Sequence, residues 1–155
     1  MNEEQRNRLT QFIEAKGLRM TSQREAILGA AFNTTEHFTA EQLLDMARKL
    51  DASVSRATVY RTLPILVESG MLKEMDFGGD SKYYDPNYAE HPSHNHIVCT
   101  DCKRIFEFSS KKIEKLENAV AEEFGFELSN QILQLRGSCQ ELKERGVCHK
   151  KETVH

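Results

Sequence analysis

The sequence predicts an α+β fold in two small domains joined by a short hinge. Three observations predict it. Apolar residues recur at helical spacing between cap signals up to Gly70, strand-like runs around glycines follow, and a second strand-and-helix pattern begins beyond a stretch containing Pro86 and Pro92. The limits are 1–84 for the first domain, 85–92 for the hinge and 93–155 for the second domain. Domains of about 80 residues have thin cores, so a metal staple or an oligomer interface is expected.

The opening helix carries Leu9, Phe12 and Ile13 and ends at Gly17, suited to the left-handed position that closes a helix. Ser22 with Glu25 has capping-box spacing and starts a second helix bearing Ala26, Ile27, Ala30 and Ala31. Thr39 with Gln42 repeats that spacing ahead of Leu43, Leu44, Ala47 and Leu50. A fourth helix starts at Ser55 and stops at Gly70. Val59, Leu63, Leu66 and Val67 form its apolar stripe, Ala57, Thr58, Arg61 and Pro64 point away from it, and Tyr60 lies at the margin. Between Ser55 and Ile65 the outward face carries Arg56 and Arg61 and no acid. Pro64 removes one backbone hydrogen bond and is expected to kink this helix, at a cost of about 3 kcal/mol. Met71 to Phe77, Gly78-Gly79 and Ser81 to Tyr84 read as a hairpin. Helices followed by a two-stranded wing give the outline of a winged helix-turn-helix, an outline other small α+β domains share.

In the second domain, Ile97 to Cys99 and Arg104 to Phe108 read as short strands around a Cys-x-x-Cys turn. Ser109 or Ser110 caps a helix with Ile113, Leu116, Val120, Ala121 and Phe124 at helical spacing. Ile132 to Arg136 reads as a strand and Gln140 to Arg145 as a short helix.

Composition restricts the function classes. A hydrophobic fraction of 39% beside 29% charged residues is that of a globular chain in water. No apolar run approaches the roughly 20 residues that cross a bilayer. The charged segment Met1 to Thr10 is no signal peptide, so the expected location is the cytoplasm, with no membrane partner. Four cysteines in that compartment serve as metal ligands or thiols rather than disulfides. The formal charge of −3 disfavours a nucleic-acid partner, and neither side of Asp85 is basic. Any such contact must come from a local patch.

Two constellations carry chemistry. Cys99 and Cys102 present two thiolates to one tetrahedral ion, and Cys139 and Cys148 can supply the other two, with His149 as an alternative to Cys148. A structural Zn2+ there would pin the end of the chain to the first hairpin of the domain. A redox dithiol is the rival reading, without the expected thioredoxin-like surroundings. His94 and His96 face one way on an extended segment, and His37, Asp85 and Glu107 are candidate companions. Mixed nitrogen and oxygen ligation suits Fe2+, Mn2+, Co2+ or Zn2+, while solvated surface histidines are the bland alternative.

Three motifs in order, Ser55-Arg-Ala-Thr-Val-Tyr-Arg-Thr-Leu63, Asp76-Phe-Gly-Gly79 and His94-Asn-His-Ile-Val-Cys-Thr-Asp-Cys102 through Phe106-Glu-Phe108, resemble the ferric uptake regulator family from about Gly17 to Cys139. The resemblance implies an N-terminal winged helix-turn-helix domain and a C-terminal α/β dimerisation domain. It implies a homodimer that represses genes by binding double-stranded DNA at an inverted-repeat operator when a regulatory metal, Fe2+ or Mn2+, is held. Arg19, Ser55, Arg56, Thr58, Tyr60 and Arg61 are then the DNA-binding candidates, with Tyr60 and Arg61 matching base-contacting positions and Arg19 a minor-groove position. His37, Asp85, His94, His96 and Glu107 become the regulatory ligands, with Zn2+ or Co2+ able to substitute. Cys99, Cys102, Cys139 and Cys148 become the structural zinc ligands. A further metal site of many relatives is degraded, since its positions read Ser93, Asn95, Glu114 and Gln131, and the second cysteine pair is spaced more widely than usual. Glu107 and Arg61 lean toward iron sensing, Asp85 and Asn95 toward peroxide sensing, and no cysteine is left over for a zinc sensor. The resulting order is iron, then peroxide, then zinc.

Two other classes compete. A metallohydrolase would need an open coordination position and a general base, but five candidate ligands fill the sphere and no His-Glu-x-x-His is present. A zinc-dependent interaction module would suit the acidic charge. The expected chain is therefore not an enzyme.

Overall fold

The structure is a computed structural model that describes residues 3–78, 81–87, 95–129 and 131–147. His94 and Cys148 therefore lie outside the described residues, as does His149. The chain divides into two compact units, Met1–Pro92 and Ser93–His155.

The first unit orders its elements as α1 (Glu3–Ala15), α2 (Ser22–Phe32), β1 (Phe38–Thr39), α3 (Ala40–Leu50), α4 (Arg56–Glu68), β2 (Lys73–Met75) and β3 (Tyr83–Asp85). Its core is one cluster that includes Leu9, Ile13, Ile27, Leu43, Val59 and Leu63, each at most 1% exposed. The helices form where caps and apolar spacing agree. Thr39 and Gln42 make the expected capping box: the Gln42 N–H donates to Thr39 Oγ1 at 3.3 Å, and Gln42 Oε1 accepts from the Thr39 N–H at 2.8 Å. At α2 the cap is Thr21 rather than Ser22. Thr21 Oγ1 accepts from the Arg24 N–H at 3.3 Å, and Glu25 instead pairs with Arg6 of α1 at 2.5 Å.

Helix α4 is capped by Ser55 as expected and runs unbroken through Pro64, whose ring lies on the exposed side. Thr62 and Ile65 join the apolar stripe, which is wider than the four residues that periodicity picks out. The Thr62 hydroxyl is accommodated by donating to the Thr58 carbonyl at 2.7 Å. The wing is narrower than expected: only Lys73–Met75 pairs with β3, while Leu72 and Phe77 turn into the interior. A third strand, the two-residue β1, completes the order β1-β3-β2, all antiparallel. Asp85 is the last residue of β3, so the segment read as a hinge from residue 85 begins inside the sheet.

The second unit contains β4 (Asn95–Cys99), β5 (Ile105–Phe108), α5 (Lys111–Glu123), β6 (Gln134–Gly137) and α6 (Gln140–Arg145). Its sheet has the order β5-β4-β6, with β4–β5 antiparallel and β4–β6 parallel. Ser110 occupies the cap position of α5 without a side-chain cap bond. Gly146, in the left-handed region at φ 71°, closes α6. Among the described residues, no helix is long and apolar enough to cross a membrane.

Candidate functional site

The exposed face of α4 is built at its first turn. Ser55 Oγ accepts from the Thr58 N–H at 3.1 Å, and Gln23 Oε1 accepts from the Thr58 hydroxyl at 2.7 Å and the Ser55 N–H at 3.3 Å. These bonds hold the helix start to α2. One turn on, Tyr60 is 52% exposed and stands clear of the core. Its hydroxyl donates to Glu41 Oε1 at 3.0 Å, and that hydrogen bond, the largest of several causes, raises the Tyr60 pKa. Glu41 Oε2 takes Arg56 at 2.9 Å. Arg61 and Arg19 are exposed, and the Arg19 carbonyl accepts from the Arg24 guanidinium. A helix start bearing cations and hydroxyls suits phosphate oxygens and base edges. Glu41 escapes sequence reasoning, because an acid in the first turn of α3 looks like simple complementarity to the helix dipole.

The first unit holds a buried carboxylate, and the second a histidine–carboxylate pair. In the first, β1 begins one residue after His37, at Phe38, which pairs with Tyr84, the residue before Asp85. Asp85 is 1% exposed and its Oδ1 accepts from the Asn87 N–H at 2.8 Å. The Asn87 amide in turn donates to the Thr35 carbonyl at 2.7 Å, closing the loop that leads into His37. The His37 ring meets Phe77 edge-on at 6.1 Å. In the second unit, β4 pairs His96 directly with Glu107 of β5. Their ligand atoms lie within 4.8 Å of one another, with His96 2% exposed and Glu107 open to solvent. Buried imidazoles and carboxylates persist where they are paired or hold metal. The His96–Glu107 donor pair fits a borderline divalent cation.

The thiols cluster at the other end of β4. Cys99 ends the strand, and Cys102 sits in the tight turn closed by the Lys103 N–H donating to the Cys99 carbonyl at 2.9 Å. Lys103 takes the left-handed conformation at φ 61°. The parallel ladder sets Gly137 against Cys99, and the Cys139 N–H donates to the Asp101 carboxylate at 2.6 Å. Cys139 is thereby anchored to the Cys-x-x-Cys turn. None of Cys99, Cys102 and Cys139 is in a disulfide. Burial works to raise the Cys99 thiol, but donations from the Cys102 and Asp101 N–H groups and from the Cys102 thiol leave its pKa lowered. A thiolate-favouring turn fits a zinc ligand set.

Of the positions read as a degraded site, Asn95, Glu114 and Gln131 line one polar hollow beside Glu117 and Asn118, and Ser93 lies outside the described residues. Asn95 Oδ1 accepts from the Leu133 N–H at 3.1 Å, and the Gln131 amide donates to Asn118 Oδ1 at 2.9 Å. Elsewhere on this unit, Leu116, Val120 and Phe124 of α5 are 66%, 55% and 72% exposed. With Phe126 and Leu128 they line an open apolar groove. Periodicity marks this stripe as a face to be buried, and within a single chain it is not.

A helix-led nucleic-acid-reading module and a sheet carrying imidazole, carboxylate and thiolate donors on one chain define the class of metal-responsive transcription regulators. Residues 15–136 match the Ferric uptake regulator family, and the chain belongs to that family. It is 36% identical over 134 residues to the ferric uptake regulation protein of Campylobacter jejuni, covering 85% of this chain and 84% of that one. It is 33% identical over 140 residues to the peroxide operon regulator of Bacillus subtilis, covering 90% of each. The solved structure of the Helicobacter pylori ferric uptake regulator superposes with a TM-score of 0.83 at 26% identity, over 94% of this chain and 95% of that one. The protein is accordingly a metal-responsive transcriptional repressor that binds DNA operators as a dimer, and is not an enzyme.

Proposed function

We propose that this repressor is iron-responsive and acts in the cytoplasm, with His37, Asp85, His94, His96 and Glu107 as its regulatory ligands. The observation that carries the reading is the pairing of His96 with Glu107 across β4–β5, together with the buried Asp85 carboxylate in the other unit. Neither unit has a full set alone. A divalent cation held by these ligands, Fe2+ or Mn2+ with Zn2+ or Co2+ able to substitute, makes DNA affinity depend on metal supply. The ion does so through differential affinity, binding the DNA-competent form more tightly than the other. The segment 85–92 serves as the hinge between the reading unit, 1–84, and the dimerisation unit, 93–155.

Cys99, Cys102, Cys139 and Cys148 hold a structural Zn2+ that ties α6 to the β4–β5 turn. The apolar face of Leu116, Val120 and Phe124 is the dimer contact, because a second copy is the partner the family supplies and exposed apolar surface of this kind favours association. Arg19, Ser55, Arg56, Thr58, Tyr60 and Arg61 form the DNA surface.

A peroxide-responsive reading is supported by the Bacillus subtilis relative and by the buried Asp85. Retardation of an inverted-repeat duplex with Fe2+, with Mn2+ and with neither, before and after peroxide, tests both. Iron sensing expects either metal to give retardation that survives peroxide. Loss of the Fe2+ complex alone on peroxide treatment selects the second reading, and equal binding in metal-free protein overturns both.

A further inference from the structure

Glu41 is the second residue of α3, yet its carboxylate reaches across to α4 and takes two residues one helical turn apart, Arg56 at 2.9 Å and Tyr60 at 3.0 Å. Arg56 and Tyr60 share one face of the helix, as residues four apart do. That face carries no acid of its own from Arg56 to Ile65. Glu41 therefore places a carboxylate against a stretch of helix that has none of its own. The Arg56 and Glu41 side chains are 68% and 47% exposed, and solvated ion pairs of this kind add little to stability. The consequence of the contact lies instead in what it does to the charge and the aim of the two α4 residues.

A carboxylate oxygen and a phosphate oxygen offer Arg56 the same interaction. Binding to DNA without regard to sequence comes almost wholly from phosphate contacts and the counterions they release. A cation already matched by Glu41 contributes less to that binding, because a phosphate must displace the carboxylate and stand beside it. Contacts to base edges are not discounted in this way, and a Tyr60 ring held at its hydroxyl has fewer orientations to lose on meeting a base.

We propose that Glu41 is a specificity-determining positioning residue, one carboxylate that restrains Arg56 from indiscriminate phosphate contact and aims Tyr60 at the base edges. The proposal rests on the reading of α4 as the DNA-contacting helix. It implies that a protein with net charge −3 draws selectivity from a matched cation rather than from added ones.

The test uses full-length, metal-loaded dimer and two duplexes, one selected by the wild-type protein from a random pool and a scrambled version of it. Affinity is measured across a salt series for wild type, Glu41→Gln, Arg56→Gln and the double variant. Glu41→Gln is expected to bind the scrambled duplex about fivefold more tightly at physiological salt, with a salt slope steeper by about one. The selected duplex should gain less, so the specificity ratio falls. In the Arg56→Gln background the same substitution should leave the scrambled-duplex affinity and slope unchanged, a result that a general loosening of the fold would not give. An unaltered ratio and slope in Glu41→Gln, or an equal gain on both duplexes, overturns the proposal. The wild type's own preference for the selected duplex, measured alongside, shows separately whether the DNA reading stands.

Discussion

His96 and Glu107 sit side by side across β4–β5, one 2% exposed and the other open to solvent. A buried imidazole is walled in by its packing, and an exposed carboxylate is not. Loss of groups that only support metal ligands costs about 10–100-fold in affinity, so loss of a ligand should cost at least as much. Glu107→Ala is expected to raise the Mn2+ concentration needed for half-maximal operator binding by about tenfold or more, with the thermal midpoint little changed. His96→Ala should abolish metal-dependent binding while the dimer persists in sedimentation. Metal-dependent retardation at wild-type Mn2+ levels in either variant would remove that residue from the regulatory site.

The thiol cluster makes a different forecast, since Cys99 and Cys139 are tied through the Asp101 carboxylate and the β4–β6 ladder rather than through the apolar core of the first unit. Cys99→Ser should therefore lose zinc, measured by metal analysis, and lose the dimer with it. Helix signal from the first unit should survive. A zinc-replete, dimeric Cys99→Ser protein would count against the staple.

Much of this was readable in the sequence wherever the signal is local. Thr39 with Gln42, Ser55, Gly17 and Gly70 mark helix ends by chemistry confined to one turn, and the structure puts helix ends there. Features made by distant residues were not readable. Strand β1 is two residues long and exists only because β3 lies beside it, so Phe38 and Thr39 carry no strand pattern of their own. His37 and Asp85 flank that pairing, one just before β1 and the other at the end of β3, a relation that sequence spacing does not reveal. The Thr21 cap was missed because Ser22 also has an acid three residues on, and only the fold sends Glu25 to Arg6. Periodicity located the apolar stripe of α5 but could not say whether its cover comes from the same chain or from another.

That stripe yields its own forecast. Phe124 is 72% exposed, so Phe124→Asp removes little buried area from the single chain while placing a charge in the proposed dimer contact. The variant is expected to sediment as a folded monomer at concentrations where the wild type is dimeric, with its circular dichroism retained. An unchanged dimer would move the interface to another face.

The capping box of α3 links stability to the metal ligands, because Thr39 both caps the helix and ends β1, two residues after His37. Removing a cap hydroxyl typically costs about 1 kcal/mol. Thr39→Ala should lower the urea midpoint of the first unit accordingly, and Thr39→Ser should restore most of it. If both substitutions leave the midpoint in place, the cap contributes nothing measurable and β1 is held by the sheet alone.

Arg61 differs from Arg56 in its setting, though the two lie on the same helix. Arg56 is matched by Glu41, whereas Arg61 is exposed one residue beyond Tyr60, on the outward face. An arginine that forks onto a guanine edge contributes about 1–3 kcal/mol of discrimination, and one that meets only phosphate contributes affinity without discrimination. Arg61→Ala should therefore weaken the selected duplex by that amount and leave the scrambled duplex nearly unaffected. Arg61→Lys should fail to recover the preference, since a lysine keeps the charge and loses the fork. Equal weakening on both duplexes would make Arg61 a phosphate contact and leave base reading to Tyr60 and the start of α4.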